Sequence, residues 1–166
     1  MTGDFTIQIF QGSVVRVDAW GPWNLKCTAE YARQLRTCLG GIPRPFAILV
    51  VSHGRFTLSA EAEAILRSNV RWRVSHGCVA QATVLQGEPD AMATYSLFER
   101  IYCSERFPYS VFATLPEALR WLSQRGFREA EQIPEKGPSR AAATSSVAVP
   151  TRNDLARALG FYAIAG

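Results

Sequence analysis

The residues best placed to do chemistry lie in one short polar stretch, Ser52-His53-Gly54-Arg55-Phe56-Thr57-Leu58-Ser59. It holds one of the chain's two histidines, a guanidinium and several hydroxyls. An imidazole beside a glycine, just past an apolar run, is a fair place for an acid–base group. No Ser, Cys or carboxylate triad pattern surrounds His53, however, and acidic residues are sparse between Pro22 and Ser59. Thr57 and Ser59 precede a helical pattern that opens near Ala60. At such a start the backbone N–H groups lack partners and the helix dipole favours an anion. A phosphate on Ser59 or Thr57 would sit well there, with Arg55 in reach. Glu61 and Glu63 use the same dipole and would repel a dianion. Ser59 serves equally well as a plain N-cap.

Other candidates are fewer. Arg67, Arg71 and Trp72 lie further along the same helix and would extend a surface begun by the loop. Trp72 falls off the Ala62-Leu66-Val70-Val74 row expected inside, so it is either an exposed interface anchor or buried against the next helix. His76 sits where that helix ends, as a favourable cap contact. Two widely spaced histidines without a His/Cys ligand ladder give no zinc pattern. GxGxxG and GxxxxGK[ST] motifs are absent, so no nucleotide cradle is read and no cofactor is expected. The cysteines Cys27, Cys38, Cys78 and Cys103 form no CxxC pair and read as small buried apolar residues.

These residues need a frame. At 166 residues, 48% hydrophobic and 19% charged, the composition is that of a globular chain able to build its own core. The net charge is +4, but the arginines are spread along the chain, as at Arg16, Arg33, Arg100 and Arg120. A nucleic-acid footprint would cluster them, so none is expected. No apolar run reaches the roughly 20 residues that span a membrane. Met1-Thr2-Gly3-Asp4 leads straight into a strand without a signal-peptide pattern, and a cytoplasmic protein is expected.

The pattern predicts a β-hairpin across Gln11-Gly12, with Phe5, Ile7 and Ile9 on one face and Val15 and Val17 on another. A helix follows over Leu25 to Leu39, capped by Asn24. Its inner stripe is Thr28, Tyr31, Ala32, Leu35, Cys38 and Leu39. Phe46 to Val51 is apolar without alternation, as in a central strand covered on both faces, usually in a parallel sheet. Its carboxyl end, where open α/β sheets place their sites, carries the polar stretch. A helix to Ser75, a strand over Cys78 to Leu85 and a helix opening at Pro89-Asp90 come next. A short strand over Tyr109 to Ala113 then leads to a helix opened by the capping box Thr114-Leu115-Pro116-Glu117. The domain is read as 1–128. Composition shifts to Glu, Pro, Ala, Ser and Thr over 129–150, a linker, and 151–166 is a tail with a short docking helix over Asn153 to Leu159.

This order, with Gly21-Pro22-Trp23-Asn24, the Phe46 to Ser59 segment and Glu117-Ala118-Leu119-Arg120-Trp121-Leu122, resembles the STAS fold of sulfate transporters and anti-sigma-factor antagonists. It is more similar to the small bacterial branch described as STAS-like or CRAL-TRIO-like, over about residues 5 to 126. The resemblance implies an α/β fold, a STAS-like mixed sheet of about five strands with about four helices plus the C-terminal tail. In STAS antagonists an Asp-Ser-Ser/Thr-Gly loop opens a helix, and a Ser there is phosphorylated by a partner kinase. The matching segment here, Arg55 to Glu61, lacks both the Asp and the Gly, which leaves the fold intact and the phospho-switch in doubt.

The expectation is therefore a non-enzymatic binding or regulatory module that meets a protein partner through His53, Arg55, Thr57, Ser59, Arg67, Arg71 and Trp72. A homodimer through the apolar tail is a further expectation. The alternative is a carrier of a small apolar ligand or lipid, which needs an internal cavity of several hundred Å³.

Overall fold

A strand apolar on both faces is satisfied only inside a sheet that is covered on both sides. The computed structural model, which describes residues 3–10 and 12–127, places Phe46–His53 there. The elements in chain order are β1 (Asp4–Phe10), β2 (Val14–Trp20), α1 (Leu25–Leu39), β3 (Phe46–His53), α2 (Ala60–Ser75), β4 (Cys78–Gln86), α3 (Ala91–Tyr102), a 3₁₀ turn (Cys103–Glu105), β5 (Tyr109–Phe112) and α4 (Leu115–Ser123). The strands lie in sequence order, β1 antiparallel to β2 and the rest parallel. The expected linker and tail, 129–150 and 151–166, lie outside the described residues. No described helix is long and apolar enough to cross a membrane.

The order dictates the layers. The connections β2–α1–β3, β3–α2–β4 and β4–α3–β5 each step one strand in the same direction. Right-handed crossovers then put all three helices on one face. That layer holds Tyr31, Leu35, Leu66, Val70, Phe98 and Ile101 against Val15, Val17, Ile48 and Val50. The opposite face packs α4, through Ala118 and Leu122, on Ala47, Leu49, Ala80, Ala82 and Val84.

Several expectations are corrected. The hairpin register pairs Ile7 with Val17 and Ile9 with Val15, so all five hairpin residues share one face of the sheet. Only Cys78 among the cysteines is buried, while Cys103, at the exposed turn after α3, faces solvent. On α2, Ala62, Leu66 and Val70 are buried as expected, but Val74 is only half-buried, and Asn69 and Arg73 are fully enclosed. The reason is contact on several sides. α2 packs on α1, α3 and β4 together, so more of its circumference is covered than one apolar row.

Candidate functional site

The polar stretch after β3 is pinned along its backbone. Gly54, at positive φ, donates its N–H to the Gln86 carbonyl (2.9 Å). Trp23 donates to the Thr57 carbonyl (2.8 Å) and its own carbonyl accepts from Ser59 N–H (3.3 Å). Between these ties the Phe56 N–H donates to the buried Glu88 carboxylate (2.9 Å), which also accepts from the Thr94 hydroxyl (2.9 Å) and from Asp90 N–H (3.0 Å). The Phe56 ring is buried against Trp23 and Phe98. Gly21 lies so close beneath the loop that a Cβ there would sit 2.7 Å from the Arg55 carbonyl oxygen and 2.9 Å from the Phe56 Cα. With Phe56 turned inward, Arg55 and Thr57 turn outward. Both are exposed, and no described residue pairs with either side chain.

His53, at the root of the loop, points elsewhere. Asp18 lies between Val17 and Ala19, which face the three-helix layer, so its side chain emerges on the α4 face. There Asp18 Oδ1 lies 2.8 Å from His53 Nε2. Arg16 grips the same carboxylate with Nε (2.6 Å) and Nη2 (2.8 Å). Trp20, the Cα partner of His53 across β2 and β3, stacks on its ring at 4.7 Å and 9°. Burial pushes the Asp18 carboxyl up, but the hydrogen bonds and charges of Arg16 and His53 outweigh it and hold the group below its ordinary value. An ionised Asp18 accepts only, so Nε2 carries a proton and Nδ1 is the ring's basic nitrogen when neutral. A nucleophile is missing from the arrangement: Ser52, the adjacent hydroxyl, is buried in the other layer. What the group does is clasp the carboxyl ends of β2 and β3 beneath the loop.

The other expected residues spread along α2. Ser59 caps it, its Oγ accepting from Ala62 N–H at 3.2 Å. Glu61 is held below its ordinary value by its own backbone N–H and by the Ser59 hydroxyl, so the helix start already has an anion. Arg67 pairs with Glu63 (2.6 Å) and Arg71 with Glu105 (3.3 Å). Trp72 is half-buried, stacked on His76 at 4.1 Å with the Arg36 guanidinium 5.0 Å from its ring centre. His76 Nδ1 lies 2.6 Å from the Trp72 carbonyl, in the helix-end position expected for it. His53 thus lies on the opposite face of the sheet from α2, and Arg55 and Thr57 stand alone as unengaged side chains of the loop. Between α1 and α2 runs a groove of about 530 Å³ lined by Ala32, Arg33, Arg36, Thr37, Ile65 and Ser68, a mixed and basic lining.

Sequence reasoning missed Asp18, Arg16, Trp20 and Glu88. The spacing Arg16-x-Asp18-x-Trp20 in an alternating strand was the available signal, since it puts three polar or aromatic residues on one face. Among the described residues, no three or more of His, Cys, Asp and Glu are grouped so as to hold a metal ion.

No family model matches this chain, and no curated protein matches it. The structure is similar to the crystal structure of an uncharacterised protein of the DUF3478 family from Shewanella loihica PV-4, described as having a SpoIIAA-like fold. The two share 21% identity with a TM-score of 0.51, over 73% of this chain and 94% of that one. The likeness shows the fold, the STAS-like α/β arrangement expected from the sequence.

Proposed function

We propose that this chain is a non-enzymatic binding module that docks an acidic protein partner through the loop between β3 and α2. The single observation that carries the reading is the contrast inside that loop. Its backbone is tied at Gly54, Phe56, Thr57 and Ser59, while Arg55 and Thr57 project without partners. A loop ordered before binding loses little entropy on association, and a guanidinium without an internal counter-charge is available to a carboxylate or phosphate outside. The Asp18 clasp beneath and the Ser59 cap beyond it serve as the mounting. Arg67, Arg71 and Trp72, engaged with their neighbours, form the flank of the surface.

The test is site-specific photo-crosslinking in the cells that make the protein. A photoreactive residue at Thr57 should yield a discrete protein adduct that Arg55→Glu abolishes. The same residue at Ser123, exposed on α4, should yield none. Equal labelling at both positions, or no adduct at Thr57, sinks the proposal.

A further inference from the structure

A charge with no counterpart lies inside the three-helix layer. Arg73 of α2 is fully buried. Its Nη2 donates to Gln81 Oε1 of β4, a neutral amide, while Nε and Nη1 have no hydrogen-bond partner. Every carboxylate that forms an ion pair among the described residues pairs with some other cation. The Tyr102 ring lies 5.7 Å from the guanidinium carbon, the Tyr31 and Tyr102 phenol oxygens face the guanidinium, and Cys78 completes the surroundings. One turn back on the same helix face, Asn69 is also fully buried, with both its Oδ1 and Nδ2 unpartnered.

The neighbours do not supply the missing charge. Burial pushes the Tyr31 hydroxyl up to about 12 and outweighs the pull of Arg73. It raises the Cys78 thiol as well. Both stay neutral near pH 7. Water would satisfy the idle N–H groups but leave the charge uncompensated, and a buried unpaired guanidinium is strongly unfavourable.

We propose that Arg73, with Asn69 beside it and Gln81 across from it, holds a small monovalent anion of halide or nitrate size inside the α1–α2–α3 layer. A single negative charge balances a single guanidinium among neutral donors. The idle N–H groups of Arg73 Nε and Nη1 and of Asn69 Nδ2 are the ligands it would take. Asn69 and Ile65 share a face of α2, and Ile65 lines the α1–α2 groove, so the buried pair begins one helical turn behind that groove's wall. The site is separate from the β3–α2 loop and stands whether or not that loop binds a protein.

The experiment follows thermal unfolding of the full chain at fixed potassium concentration, with gluconate replaced stepwise by bromide. A site that binds only the folded state raises the midpoint by about 4 °C per tenfold bromide above its dissociation constant. Arg73→Met, which removes the charge and keeps an unbranched apolar stem, should show no bromide dependence. A flat wild-type response, or an equal response in the variant, overturns the site. Should Arg73→Met fail to fold, anomalous scattering from bromide-soaked wild-type crystals decides. A peak within hydrogen-bonding reach of the Arg73 guanidinium supports the site, whereas water or a carboxylate in that place overturns it.

Discussion

Two buried charges lie on opposite faces of one sheet, and the protein treats them differently. Asp18, under the single-helix face, takes two bonds from Arg16 and one from His53. Arg73, in the three-helix layer, has one bond to a neutral amide and two idle nitrogens. A buried charge that is paired and hydrogen-bonded is a finished piece of structure; one that lacks its counterpart marks a place where something outside the chain belongs. The difference separates scaffold from site without any appeal to motif.

Breaking the complete cluster should do the most damage. Asp18→Asn keeps the shape and removes the charge that holds Arg16 and His53 together. A loss of about 2–3 kcal/mol in urea unfolding is expected, discounted from a fully buried pair because both cations are partly exposed. A loss below about 0.5 kcal/mol would mean the clasp is ornamental.

The two faces should also fail at opposite ends of the pH scale. Asp18 has its folded pKa depressed, so its contribution is present above the ordinary value of 3.8 and is lost as pH falls through the lower folded value. The stability gap between wild type and Asp18→Asn should therefore close on acidification below about pH 4. Tyr31 has its pKa raised from 10.0 to about 12, the reverse sign. Its contribution is full below pH 10 and is lost as pH rises toward 12. Tyr31→Phe should remove about 1–2 kcal/mol of that alkaline loss, read from unfolding midpoints at pH 9 to 12. An unchanged alkaline limb would show that Tyr31 is not held neutral by burial.

Removing the incomplete charge should do little harm. In gluconate, with no small anion present, Arg73→Met should match wild type or exceed it by about 1 kcal/mol, because an apolar chain replaces an uncompensated cation. Bromide should then let wild type catch up. A loss of about 3 kcal/mol in gluconate would show that the guanidinium is already well satisfied.

The two faces were also unequally legible in the sequence. Phe46 to Val51 announced a central strand because six apolar residues without alternation have no other stable place. Asn24, Ser59 and Thr114 announced helix starts through local hydrogen bonding, and Pro89-Asp90 through proline's fixed φ and an acid at the positive dipole end; Asn24, Ser59, Asp90 and Thr114 are the N-caps. Arg73 was illegible for the opposite reason. In Arg71-Trp72-Arg73 the sequence offers charges that ordinarily face water, and only the packing of α2 on three elements encloses one of them. Asp18 was hidden by distance. Its partner His53 lies 35 residues away and meets it through parallel strand register, which no local pattern encodes. The carboxylate beside His53 comes from the neighbouring strand of the sheet, not from the residues along the chain around it.

A third arginine completes the series. Arg55 also lacks a carboxylate, but it is exposed on a pinned loop, where water meets its charge at little cost. Arg55→Ala should change unfolding stability by no more than about 0.5 kcal/mol, the smallest effect of the set. If the loop is a docking edge, the same substitution should nevertheless weaken capture of the protein crosslinked from Thr57, by tenfold for each ~1.4 kcal/mol the guanidinium contributes. Those two readouts must part company for the proposal to stand. A variant that unfolds as wild type does and captures its partner equally well would leave Arg55 a solvated surface residue. The pinned backbone around it would then be a device for closing β3 onto α2, with Phe56 and Glu88 as its working parts and no partner implied.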